Sequence, residues 1–135
     1  MSKKKGGAKT PTKGFVIDSS VAIAWCFPDE LDDYSQSVLD ALATQAAIVP
    51  DLWHLEVANT LLVGERRKRS TQANTVRWMA FLASLPISVD DHTHFHASGD
   101  ITTLGRSHNL SAYDAAYLEL AMRREIGRAS CRERV

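Results

Sequence analysis

Three carboxylates stand among residues that would otherwise pack. Asp18 ends the apolar run Phe15-Val16-Ile17 and precedes Ser19, Ser20 and a second apolar run, Val21–Phe27. Glu56 lies between Leu55 and Val57 with Asn59 three residues on, and Asp114 lies in Ala112-Tyr113-Asp114-Ala115-Ala116. Partly buried acids cost free energy unless a cation or a donor compensates them. Two chemistries are therefore open. The acids could build a cation site, or each could serve its own helix. In the second case Asp18, Ser19 or Ser20 is an N-cap, and Glu56 and Asp114 are first-turn acids favoured by the helix dipole.

The elements that would carry them follow from periodicity. Phe15–Ile17 is β-branched and aromatic and reads as a buried strand, which places Asp18 at a strand's carboxyl end, where open α/β sheets hold their sites. Val21–Phe27 reads as a packed helix, and Pro28-Asp29-Glu30 breaks the chain. A helix over 32–43 leads to a strand at 46–49. Leu55, Ala58, Leu61 and Leu62 trace a helical stripe over 52–67, with Asp51 as its expected cap and Glu65-Arg66-Arg67-Lys68-Arg69 at its negative end. A helix starting at Ser70 or Thr71 runs through Val76, Met79, Phe81 and Leu82. Ile87–Asp90 is the next strand, and a helix over 93–107 is expected to turn Phe95, Ala97, Ile101 and Leu104 inward. Asn109 suits a left-handed helix stop, and Ser111 caps a last helix through Arg124. Short strands alternating with helices imply a parallel sheet with helical crossovers.

Composition narrows the class. The 135 residues make one domain with ordinary hydrophobic content. No run approaches a membrane span, no signal peptide is visible, and two cysteines make no disulfide framework, so a reducing cytoplasm fits. The zero formal charge conceals an asymmetry. Residues 1–13 hold five lysines and no acid, whereas residues 14–126 hold eight basic and fifteen acidic side chains. An acidic body is unlike a simple nucleic-acid-binding module and compatible with a carboxylate cation site.

Phe-Val-Ile-Asp18-Ser-Ser, Pro50-x-Leu52-Trp53-x-x-Glu56-Val57-Ala58-Asn59 and Leu110-Ser111-Ala112-Tyr113-Asp114-Ala115-Ala116-Tyr117-Leu118 occur in that order. Together they resemble the motifs of the PIN-domain nucleases, in particular the VapC toxins of toxin–antitoxin pairs. Ala24-Trp25-x-x-Pro28-Asp29-Glu30 is similar to that subfamily's first helix and loop. The resemblance implies a three-layer α/β/α fold with a short parallel sheet, binding Mg²⁺ or Mn²⁺ and hydrolysing RNA. By match to the motifs, Asp18, Glu56 and Asp114 are the metal-binding, catalytic acids. Ser20 is implied to touch the metal shell or the substrate, and Asn59 to orient Glu56 or pack. A cognate antitoxin and a homodimer are the implied partners, with no membrane. A catalytically impaired scaffold that binds antitoxin or RNA without turnover is the alternative.

The end of the chain departs from the family pattern. A strand and a fourth acid should follow the Asp114 helix, but 127–135 reads Gly-Arg-Ala-Ser-Cys-Arg-Glu-Arg-Val. The expectation is a basic disordered tail at 1–13, a C-terminally truncated domain at 14–126 and a foreign tail at 127–135. The last strand would then be missing or replaced and Phe15–Ile17 left as an exposed edge. Arg66 and Arg67 could grip RNA phosphates or simply be a solvated helix end. His92, His94 and His96 alternate, a spacing unlike the i, i+4 pair of zinc helices, and no cysteine lies near. The three tryptophans fit core or interface positions better than base-stacking platforms. A phosphatase of the haloacid dehalogenase type would want a second Asp where Ser20 stands.

Overall fold

A computed structural model describes residues 14–130; the basic tail at 1–13 and the last five residues lie outside them. The elements in order are β1 (Phe15–Ile17), α1 (Ser19–Cys26), α2 (Asp33–Ala41), β2 (Ala47–Pro50), α3 (Trp53–Arg66), α4 (Gln72–Ala83) and β3 (Ile87–Asp90). A short helix α5 (Thr93–His96), a π-helical turn (Ala97–Ile101), α6 (Thr102–His108), α7 (Ala112–Arg124) and β4 (Gly127–Ala129) complete it.

The strands form one parallel sheet in the order β3-β2-β1-β4. Val16 and Ile17 point to opposite faces of the sheet, yet both are fully buried. Both faces are therefore covered by helices, the three-layer arrangement expected for a parallel sheet. Helix α7 packs on β1, β2 and β4, while α1 packs against α2 and α3. The central cluster joins Val16, Ile17, Val49, Trp53, Leu61, Tyr117 and Leu120, so the core lies directly beneath the carboxyl ends of β1 and β2. Gly14 permits that close pairing, because a Cβ there would stand 2.2 Å from the Ala46 carbonyl oxygen.

The last strand overturns one expectation. Gly127, Arg128 and Ala129 pair in parallel with Phe15, Val16 and Ile17, on the side of β1 away from β2. The strand is present, and β1 is an interior strand rather than an exposed edge. The sequence pattern does not show it because ladder bonds come from the backbone, and the three residues Gly-Arg-Ala carry no apolar alternation. The turn into it is a Schellman motif: the Glu125 N–H donates to Met122 O and the Ile126 N–H to Ala121 O, with Glu125 left-handed at φ 55°.

Local expectations mostly held within a residue or two, with instructive exceptions. Asn109 is left-handed, and Ser111 accepts a hydrogen bond from the Asp114 N–H. Helix α3 is instead preceded by Leu52, with no side-chain cap from Asp51. The 93–107 helix is broken by the π-helical turn, which shifts its apolar phase. Ile101 is buried, whereas Phe95 is 69% exposed, contrary to the inward stripe. On α4 only Leu82 is buried, and Val76, Met79 and Phe81 remain exposed. Trp53 is buried in the core, and Trp25 and Trp78 pack against it.

Candidate active site

Asp18 leaves β1 in extended conformation and caps α1, its Oδ1 accepting from the Ser20 N–H at 3.0 Å. Its Oδ2 accepts from the Ser130 hydroxyl at 3.2 Å, just past the end of β4. The carboxylate is 2% exposed. The two readings of Asp18 are thus compatible: it caps a helix, and it stands at the carboxyl edge of the sheet.

Glu56 meets it across a shared hydroxyl. Ser19 Oγ lies 3.4 Å from Asp18 Oδ1 and 3.2 Å from Glu56 Oε1. The same Glu56 oxygen accepts a short 2.5 Å hydrogen bond from the Tyr117 hydroxyl. Tyr117 is fully buried. Burial, the bond to Glu56 and the charges of Glu56 and Asp18 raise its phenol well above the ordinary value, so it remains a donor. The hydroxyl between the acids belongs to Ser19; half-buried Ser20 supplies Asp18 with its backbone N–H. Asn59 is exposed and makes no hydrogen bond to Glu56, whose orientation is set by Ser19 and Tyr117.

Asp114 is half-buried in the first turn of α7, one turn before Tyr117 and on the same helix face. It does not close a tight triad. Among the described residues, the three acidic or imidazole side chains with ligand atoms all within 4.8 Å of one another are His96, Asp100 and Glu119. Two atoms bound to one Mg²⁺ stand at most about 4.2 Å apart, so in this arrangement Asp18, Glu56 and Asp114 do not all ligate one ion directly. Mg²⁺ commonly takes one or two carboxylates and keeps several waters, which leaves the third acid a role through water. The donor set fits such an ion: carboxylates with serine and tyrosine hydroxyls are the hard oxygen ligands it prefers.

Beside Glu56 a groove of about 490 Å³ runs along α3, lined by Leu52, Leu55, Ala58, Asn59, Leu62 and Tyr113. Arg66 and Arg67 are exposed at the far end of that helix. Ten residues at 1.5 Å rise put Arg66 roughly 15 Å along the axis from Glu56, too far to touch the same phosphate.

A model of the PIN domain family matches residues 15–131. The chain belongs to the PIN domain family. No curated protein matches it at a significant level. PIN domains are typically metal-dependent nucleases, and Asp18 and Glu56 occupy the carboxyl edge of this PIN domain's sheet. The match runs past β4, the strand that sequence patterning missed. Where the resemblance led one to expect a fourth acid after that strand, this PIN domain carries Ser130, bonded to Asp18. No helix among the described residues is long and apolar enough to cross a membrane.

Ser19, Tyr117 and Ser130 were not singled out as site residues by sequence. Tyr117 had a legible signal, lying three residues after Asp114 on the same face. Ser130 had none without the β1–β4 register.

Proposed function

We propose that this PIN domain is a Mg²⁺- or Mn²⁺-dependent endoribonuclease, the toxin of a VapC-type toxin–antitoxin pair acting in the cytoplasm. The observation that carries the nuclease reading is the linked set Asp18–Ser19–Glu56–Tyr117, which directs two carboxylates at one hydroxyl above the sheet. Asp18 and Glu56 would hold the ion, with Asp114 assisting through a metal-bound water. The bound ion would lower the pKa of a water for in-line attack on a phosphodiester and offset charge developing on the phosphate.

The residues around it have separable tasks. Tyr117 and Ser19 fix the Glu56 carboxylate, and the α1 N-terminus and Ser130 fix Asp18. Ser20 and Asn59 border the approach as substrate contacts, and Arg66 and Arg67 grip RNA phosphates farther along the strand. The toxin role and the cognate antitoxin rest on the motif resemblance. Exposed Val76, Met79 and Phe81 on α4 supply apolar surface for the proposed homodimer.

One observation favours a second reading, a scaffold that binds RNA or antitoxin without turnover: Ser130 stands at the end of β4 in place of an acid. RNA cleavage with Mn²⁺ or Mg²⁺ separates the two. Cleavage that EDTA stops and that Asp18→Asn and Asp114→Asn abolish supports the enzyme. RNA binding without product in the parent supports the scaffold, and cleavage surviving both substitutions removes the mechanism.

A further inference from the structure

The second cluster of titratable side chains lies on the other side of α7. Tyr117 and Glu119 are two residues apart on that helix, so they point to different faces. Tyr117 meets Glu56, whereas Glu119, 3% exposed, faces the π-helical turn and the end of β3. Arg123 clamps it there. Its Nε donates to Glu119 Oε2 at 2.7 Å and its Nη2 to Glu119 Oε1 at 3.0 Å. The same guanidinium holds buried Asp90 through Nη1 and Nη2, at 3.0 and 2.9 Å.

One arginine does not balance this corner. Asp90, Asp100 and Glu119 bring three negative charges against the one positive charge of Arg123. Two imidazoles adjoin these acids: His92 Nδ1 stands 3.8 Å from Asp90 Oδ1, and His96 Nδ1 stands 3.7 Å from Glu119 Oε2. The latter separation is long for a hydrogen bond. It is short enough for an ion about 2.1 Å from both atoms, with a ligand–metal–ligand angle of roughly 120°, near tetrahedral. Asp100 follows His96 by four residues, which puts both side chains on one face of the α5–π-turn segment.

We propose that His96, Asp100 and Glu119 form a transition-metal site of the Zn²⁺ class, separate from the acids above β1. A mixed imidazole and carboxylate set suits Zn²⁺, whereas Mg²⁺ prefers oxygen ligands alone. Three protein ligands leave one position for water, and a cavity of about 430 Å³ bordered by Asp100, Glu119 and Arg123 gives access to it. Arg123 becomes the outer partner that orients the ligating Glu119 carboxylate, each oxygen of which keeps a lone pair beyond its arginine bond. Asp100 is exposed, so its carboxylate has room to turn toward the other two, the three ligand atoms already lying within 4.8 Å of one another. A neutral imidazole with a divalent ion brings the corner to charge balance, and the ion ties the interrupted helix to α7. The alternation of three histidines hid this arrangement, because the i, i+4 partner of His96 is an aspartate.

The test uses the untagged 135-residue chain carrying Asp18→Asn and Cys131→Ser, which weakens the first site and removes a competing thiol. Zn²⁺ is titrated calorimetrically and Co²⁺ by its visible d–d absorption, with Mg²⁺ as the control. One Zn²⁺ should bind, Co²⁺ should give bands of four-coordinate intensity, and Mg²⁺ at equal concentration should not compete. Adding His96→Ala or Asp100→Asn should weaken Zn²⁺ at least about 10-fold, as loss of a ligand must exceed loss of an outer partner. If His96→Ala does not fold, Asp100→Asn at an exposed position decides. Unchanged Zn²⁺ affinity in a folded variant overturns the proposal, as does absence of Zn²⁺ binding in the starting protein. RNA cleavage by the otherwise wild-type chain is scored separately, so failure of either site leaves the other standing.

Discussion

The hydroxyl of Tyr117 donates to Oε1 of Glu56 across 2.5 Å, joining α7 to α3 between residues 61 apart in sequence. Together with the Ser19 bond, it leaves Glu56 one preferred orientation at the carboxyl edge of the sheet. Partners that orient a ligating carboxylate typically alter metal affinity roughly 10- to 100-fold. Tyr117→Phe should therefore raise the Mn²⁺ concentration needed for half-maximal cleavage by about that factor. The rate at saturating Mn²⁺ should recover most of the parent value, a split that simple misfolding would not give.

The same phenol sets an alkaline limit. Its folded pKa lies above the unfolded value of about 10, so the protonated form is favoured by folding. That contribution is complete below about pH 10 and is lost as pH rises through the folded pKa. Denaturant melts should show parent stability falling above about pH 10 more steeply than that of Tyr117→Phe. Parallel curves would place the buried phenol outside the stability balance.

Ser130 is 3% exposed and donates to Asp18 Oδ2. Ser130→Asp replaces that donor with a second buried carboxylate beside the first. Like charges in such a site raise the cost of ionisation, unless a cation joins them. The variant should melt lower than the parent in EDTA and regain most of the loss on adding Mn²⁺. A melting temperature insensitive to Mn²⁺ would show that the end of β4 does not border the ion.

Arg123 holds two buried acids at once, and its guanidinium keeps the Asp90 carboxyl below the usual range. Arg123→Leu should destabilise the fold by about 3 kcal/mol at neutral pH, because both carboxylates lose their counter-charge. Asp90 is lowered, so its share of the stability is present above about pH 4 and disappears as pH falls through the folded value. The gap between parent and variant in urea melts should accordingly narrow from pH 7 to pH 3. Arg123→Lys should recover only part of the loss, since a point charge cannot repeat two bidentate contacts.

Much of this architecture was legible in the chain. Phe15–Ile17, Ile87–Asp90, the Asn109 stop and the Ser111 cap were readable because each depends on a local pattern or one side chain. Asp18 was legible as a junction residue, and it proved to cap its helix while facing the site. What escaped was long-range or backbone-borne. Gly127–Ala129 became a strand only because β1 offered an unpaired edge. The π-helical turn interrupts the expected 93–107 helix and Phe95 lies outward, with no proline and only Gly99 to announce the break. Ser19 rather than Ser20 bridges the acids because the first residue of α1 points back across the sheet edge toward α3. No periodicity argument separates two adjacent serines at a helix start.

The most direct measurement counts Mn²⁺ bound at the Asp18–Glu56 edge, by electron paramagnetic resonance of free Mn²⁺ in a His96→Ala background. The parent background should bind one ion, with both Asp18→Asn and Glu56→Gln abolishing it and RNA cleavage together. Undiminished Mn²⁺ binding in those two folded variants would contradict the assignment of the ion to these carboxylates.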